Sequence, residues 1–500
     1  MASDVDLFVI GGGINGAAIA RDAAGRGLRV VLAEKGDYGH ATSSSSTKLI
    51  HGGLRYLENF EFRLVRESLR EREVMLRIAP HLVTPLRFLL PTTTDQPRSY
   101  LSVRAGLFLY DMLAGRGTLE STGALTREEA GALPRLRKEN VTAVLHYPDC
   151  WADDSRLVLE TLLDARNRGA IVSNYTEVMS VRGTDVGYAV TTRNCSATNE
   201  TRARFVVNAA GPWVNMVADR IEGAPVPLGV KLVRGSHIVL PMPAPSRDYA
   251  YILQNPDKRI VMVVPWLGKF LIVGSTHEVQ QSPNDTRCSD EEKMFLLECY
   301  NRFFDDRKEI NDIVWSYAGV RPLVDDGETN GSQVTRDYRL VQRRRGSGGI
   351  VSVYGGKLTT HRVLANHVMA CLRRMDAKLA PEWTASAPLH GGNLSVDELR
   401  RLSERSSTVP FETRRRWVRT YGSETQVLLD AAHANPDLAK EVAAGVTEGE
   451  LRYVVDVEDV RTAEDFLYRR SKLFILLDDS ERTRVAEWFA RRGLDYSRAA

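Results

Sequence analysis

Residues 5 to 34 constrain this chain more than any other stretch. "VDLFVI", "GGGINGAAIARDAAGRG" and "LRVVLAE" read as strand, glycine turn, helix and strand. Gly11, Gly13 and Gly16 supply the GxGxxG spacing directly after an apolar run of strand type, where the chain must turn tightly and let a pyrophosphate approach the backbone. The helix that follows offers free amides and a positive dipole end to an anion, and Ala17, Ala18 and Ala20 keep side chains short where helix and sheet pack closely. The second strand ends in Glu34, about where a ribose-binding carboxylate is expected. The pattern specifies a dinucleotide site, and the motif alone does not separate FAD from NAD.

At 500 residues the chain is too long for one simple core, and two or three domains are expected. A formal net charge of +3 gives no argument for nucleic acid. Basic runs at Arg343 to Arg345, Arg414 to Arg416 and Arg469 with Arg470 are expected to be solvated faces, with an anionic membrane surface as the minority reading. Five scattered cysteines without a CxxC pair suggest neither a disulfide framework nor a metal site. No secretory signal stands out, and no run approaches the roughly 18 apolar residues of a membrane-crossing helix, so a cytoplasmic location is expected.

After Glu34, "ATSSSSTKLIHGGLRYLENFEF" sets Lys48, His51, Arg55 and Tyr56 behind a serine run, too dense a polar set for a linker. Helical spacing follows to about Ala79, ended by Pro80, and a second apolar helix near residues 104 to 115 is expected in the core, or beside a membrane surface if exposed. Asp153 and Asp154 precede a helix, so capping is expected ahead of a paired-carboxylate site. Residues 171 to 210 alternate as strands and run into Gly211 and Pro212, another turn at a sheet end. From 230 to 277 short strands joined by tight loops, with a hairpin turn at Leu267 and Gly268, predict an antiparallel sheet. "GGIVSVYGGKLTTHRVLANHVMACLRRM" repeats strand, glycine turn and helix, and the remainder from about 390 is mostly helical.

Together "IGGGINGAAIARDAAGRG", "SSSSTKLIHGGLRYLE", "YPDCWADDSRLV", "VVNAAGPWV", "RGSHIVLP", "ILQNPDKRIVMVVPW", "AGVRPLVDD", "TRDY" and "GGKLTTHR" resemble the FAD-dependent (aerobic) glycerol-3-phosphate dehydrogenases from the first strand into the C-terminal region. The chain departs from the family at Ala18, commonly glycine, and at His361, commonly tyrosine. The resemblance implies an α/β fold: a discontinuous Rossmann-like FAD-binding domain (1–76, 151–229, 320–385), a substrate or cap domain with an antiparallel sheet (77–150, 230–319) and a helical C-terminal domain (390–500). It also implies oxidation of sn-glycerol 3-phosphate to dihydroxyacetone phosphate, with electrons passed from FAD to a membrane quinone. The implied location is the cytoplasmic face of the cell membrane, peripherally bound to an anionic surface, with a homodimer left open and no nucleic-acid partner.

Such a reaction needs a phosphate anchor, a base for the hydroxyl proton and close approach of the carbinol carbon to the flavin. Arg55, Arg321 and Arg336 are the candidate anchors, since a planar guanidinium meets phosphate oxygens in pairs. His51 and His237 compete as base. Tyr56 joins the substrate set, and Lys357 is placed to contact substrate oxygen or to balance charge on reduced flavin. For FAD the candidates are Gly11, Gly13, Gly16, Glu34, Thr42, Ser43, Thr47, Gly211, Gly355 and Gly356. The competing readings are a glycerol-3-phosphate oxidase that releases hydrogen peroxide, an amine or amino-acid oxidase on the same fold, and a flavin-binding sensor without turnover.

Overall fold

The computed structural model describes residues 4–115, 117–139, 141–195, 197–243, 249–284, 286–325 and 337–493. Two large sheets and a helical region carrying a two-stranded ribbon build it. The first sheet centres on β1 (Val5–Ile10), which pairs in parallel with β2 (Val30–Ala33) on one side and with Thr198–Asn208 on the other. Leu7, Phe8 and Val9 are fully buried, as the near-continuous apolar run of a strand covered on both faces requires. Gly348–Tyr354 and Ile171–Ser173 extend the parallel ladder, and Arg339–Arg345 closes one edge antiparallel. The helix α1 (Ile14–Gly25) packs between Asp154–Asn167 and His361–Arg374. Its alanines make that approach possible: Ala17 and Ala20 are fully buried, and Ala18 nearly so.

The second sheet has ten strands among the described residues, in the order Glu278–Gln280, Val230–Pro241, Phe270–Gly274, Ile260–Trp266, Tyr249–Gln254, Val83–Thr93, Val141–Ala152 and Leu49–Ile50, with Trp315–Val324 and Gly123–Ala124 paired at its sides. It is antiparallel as expected except where Tyr249–Gln254 runs parallel to Val83–Thr93. Leu267 and Gly268 take φ of 53° and 67°, the paired positive angles of a tight hairpin turn. From 396 to 490 the described chain is mostly helical, around Trp417, Tyr421 and Trp488.

The helices α2 (Phe62–Ile78) and α3 (Tyr100–Ala114) cover one face of the second sheet. The expectation of a core helix near 104–115 holds for only one side of α3. Leu107 and Tyr110 are buried, while Leu101, Phe108 and Met112 are 76%, 72% and 61% exposed. The basic runs divide similarly. Arg343 and Arg344 lie exposed on an edge strand, but Arg414, Arg416 and Arg470 are drawn inward. Arg416 pairs with Glu450 and Arg470 with Asp37, so solvation is replaced by carboxylates rather than lost.

Candidate active site

The parallel strands deliver their C-terminal ends to one side, and a cavity of about 900 Å³ runs from there into the space under the second sheet. Its floor is the turn after β1. Gly11 has φ +105°, and a Cβ there would stand 2.7 Å from the Ala209 carbonyl oxygen. A Cβ on Gly16 would stand 1.9 Å from the Gly11 carbonyl oxygen, so Gly16 does not face the cavity but lets the helix close onto the turn. The N-cap Gly13 has no side chain to satisfy the first turn of α1. Ser43 takes one of those amides, Ile14 N to Ser43 Oγ at 3.1 Å.

Glu34 borders the cavity, and its two oxygens accept the amides of Gly12 at 2.7 Å and Gly36 at 2.9 Å. The carboxylate thus shapes the glycine turn as well as facing the site. Beyond it Lys35 stands 4.0 Å over the Trp213 ring, near Gly211 with φ +55°. A second glycine turn, Gly355 and Gly356 with φ 78° and 102°, faces the first. Asn15 joins them, its side-chain amide donating to the Gly355 carbonyl at 3.1 Å. The serine run is tied down: Thr42 donates to the Val320 carbonyl at 2.6 Å, and Thr47 bonds His237 Nε2 at 2.9 Å. A buried carboxylate holds it from below, since Asp154 meets Lys48 Nζ at 2.8 Å and Ser46 Oγ at 2.7 Å while Asp153 caps its helix as expected.

Past the second turn the lining becomes cationic. Arg55, Arg321 and Lys357 all border the cavity with His51 and Tyr56. Gly53, φ +78°, leaves room for the Tyr56 ring, over which Lys357 Nζ stands at 3.8 Å. Gly235 does the same for Arg321: a Cβ there would lie 2.5 Å from the guanidinium, which donates to Ser275 Oγ at 2.8 Å. His51 is pinned through its backbone amide to Thr359 Oγ1 at 3.2 Å, and the next amide, Gly52, bonds Tyr110 and Asp149. Burial pushes the His51 imidazolium below its usual range; Asp149 opposes this and Lys357 adds to it, so the ring is neutral near pH 7.

His237 does not reach this space. It is fully buried behind Gly274, stacked on Tyr317 with ring centroids 4.7 Å apart. Burial and the Arg321 and Lys48 cations hold it well below the ordinary histidine range. Arg336 lies outside the described residues. Asn15 and Thr359 carry no mark in the sequence, and neither does the pairing of Lys48 with Asp154; each acts through a partner at least a hundred residues away, and no local pattern marks such pairs.

The cavity continues past the cations between Leu54, Leu90, Val103, Ile252 and Met262, an apolar arm reaching beneath α3. The glycine cradles, the first turn of α1 with no side chain on its Gly13 cap and the length of the cavity fit a dinucleotide carrying a ring system at the cationic end.

Comparison with known proteins agrees with this geometry. The family described as FAD dependent oxidoreductase matches residues 6–362, and the C-terminal domain of alpha-glycerophosphate oxidase matches residues 383–492. The chain is 42% identical to D-erythritol 1-phosphate dehydrogenase of Brucella abortus (strain 2308), covering 98% of each chain. It is 42% identical to aerobic glycerol-3-phosphate dehydrogenase of Escherichia coli (strain K12), covering 97% of each. Among solved structures it is similar to the glycerol-3-phosphate dehydrogenase from Bacillus halodurans complexed with FAD, at 27% identity and TM-score 0.75 over 98% of this chain and 94% of that one.

Proposed function

The chain belongs to the FAD-dependent glycerol-3-phosphate dehydrogenase family of oxidoreductases, and from that premise we propose that it oxidises sn-glycerol 3-phosphate to dihydroxyacetone phosphate. The observation that carries this reading is the meeting of Arg55, Arg321, Lys357 and His51 at one end of a cavity whose other end is the cradle after β1. Gly11, Gly13, Ser43, Glu34 and the Gly355–Gly356 turn would hold FAD, which when bound supplies the acceptor for a hydride. Arg55 and Arg321 would take the phosphate, with charge-assisted hydrogen bonds that fix its position. Neutral His51 accepts the hydroxyl proton as the carbinol is oxidised. Lys357 supplies a fixed positive charge where negative charge develops. The apolar wall beyond them excludes water from the reacting carbon.

The electron acceptor in this reading is a membrane quinone. Its support is the apolar arm under α3 together with the exposed apolar face of that helix, flanked on α2 by exposed Arg63, Arg66 and Arg70. No helix among the described residues is long and apolar enough to cross a membrane, so attachment would be at the surface. A longer polyol phosphate is the second reading for the substrate, favoured by the 42% identity to the Brucella enzyme. Oxygen is the second reading for the acceptor, favoured by the match of the C-terminal region.

The test is an anaerobic absorbance spectrum of the purified protein before and after glycerol 3-phosphate, with erythritol 1-phosphate in parallel. Bleaching of the oxidised-flavin bands by glycerol 3-phosphate is expected; bleaching by the tetritol phosphate alone would reassign the substrate, and none by either would reject turnover of this class. Reoxidation by a quinone in the absence of oxygen, without peroxide in air, is the outcome expected for the acceptor.

A further inference from the structure

The loop that leaves β2 is gripped from two sides. Toward the glycine turn, Glu34 accepts the Gly12 amide and Gly39 donates to the Gly12 carbonyl at 3.0 Å. Away from it, Asp37 is held by two consecutive arginines from more than 430 residues further along the chain. Arg470 meets both Asp37 oxygens, at 2.6 and 2.8 Å, and Arg469 Nε reaches one of them at 2.5 Å. Asp37 and Arg470 are each 2% exposed. Arg470 also donates to the Glu458 carbonyl at 3.0 Å, and Asn174 bridges Asp37 to the Asp459 carbonyl. The arginines lie in Asp465–Arg470, a single wide π-type turn that presents both neighbours to the same carboxylate.

A buried ion pair is a weak source of net stability, because desolvation offsets most of the attraction, but it selects one geometry strictly. Here the geometry selected is that of the loop carrying Glu34. Surrounded by two guanidiniums, Asp37 stays ionised despite its burial.

We propose that the C-terminal helical region is a positioning element for the nucleotide half of the cofactor, acting through Arg469 and Arg470 on Asp37 and thence on the loop around Glu34. Docking of Asp465–Arg470 and binding of FAD then favour one another, and the coupling is reciprocal. The inference rests on the reading of the cavity as an FAD site.

Full-length apoprotein titrated with FAD, followed by flavin fluorescence and by amide hydrogen exchange, tests it. In the natural protein FAD is expected to slow exchange in residues 11–25 and also in 459–472. The Asp37→Asn, Arg470→Gln double variant removes both charges together; it is expected to bind FAD about tenfold more weakly, within the ordinary range of intersite coupling. It should keep the protection of 11–25 and lose that of 459–472. Unchanged exchange of 459–472 in the natural protein overturns the proposal. So does a double variant of lower thermal stability but unaltered FAD affinity, the outcome for a merely structural contact. If the variant does not fold, the exchange of the natural protein decides alone. Failure of the natural apoprotein to bind FAD would instead reject the reading of the site.

Discussion

At the scale of single residues, the cationic end of the cavity makes separable demands. Arg321 sits in space opened by Gly235, so its removal leaves a void rather than a rearrangement. For Arg321→Ala we expect kcat/KM to fall about 30-fold, the worth of a charge-assisted hydrogen bond near 2 kcal/mol, mostly through KM. Lysine should recover only part, lacking the planar fork. An unchanged KM would reject Arg321 as phosphate anchor. In the proposed reaction His51 is the neutral base, and burial lowers its pKa below 6.5. The plateau of kcat/KM is therefore expected to extend below pH 6.5, with an acid limb where His51 gains its proton. His51→Asn should lose about 100-fold or more in kcat and lose that limb with it; a variant that keeps the limb would assign it to another group. Arg55 and Arg321 were legible beside glycine or proline turns, and Lys357 by its place ahead of the helix that begins at His361. The choice between His51 and His237 was not, since each is one histidine in a short motif until the sheet places one beside the cavity and the other behind it.

At the scale of elements, α3 has two faces with different work. Its inner face borders the apolar arm of the cavity through Val103 and Gly106, and its outer face presents Leu101, Phe108 and Met112 to solvent. Substituting serine at these three positions should leave the far-ultraviolet circular dichroism intact, because none contributes to the core. It should abolish flotation with anionic vesicles, since burying each side chain is worth about 2 kcal/mol, and depress quinone reduction relative to a soluble dye. Flotation equal to that of the natural protein would remove α3 from the docking surface. With Arg469 and Arg470 committed to Asp37, these arginines cannot serve an anionic surface, and high salt should release the protein only partly. The end of α2 followed from Pro80, whereas α3 begins at Tyr100, behind its Ser99 cap, rather than near 104. Which side of α3 is covered did not follow from the sequence, because both sides carry large apolar residues and only packing on the sheet selects one.

At the scale of the whole molecule, buried histidines set the response to acid. His81 and His361 are each pushed down to about 4, chiefly by burial, and His51 and His237 are lowered by the same cause. The unfolded chain binds protons at these positions near pH 6.5 and the folded chain does not, so stability is lost as pH falls below 6.5, by about 1.4 kcal/mol per pH unit for each histidine. His390, raised by its contact with Glu160 despite the opposing effect of burial, has the opposite sign: its contribution is lost as pH rises above 6.5 and stays constant below it. Denaturant midpoints measured between pH 7 and pH 4.5 should fall steadily; a flat profile would mean these rings are solvated. From the sequence alone came the dinucleotide turn, the alternation of the two sheets, the helical C-terminal region and most of the cationic set, because glycine spacing and apolar period are local consequences of backbone geometry. Only the tertiary structure decided that Asp37 meets Arg470, that Asp154 underlies the serine run, that Asn15 joins the two glycine turns, and that Arg470 near the C-terminus is buried with Arg469 half-buried beside it. Such contacts join residues one hundred to more than four hundred positions apart, and a charged or amide side chain carries no mark of its partner until folding removes the water between them.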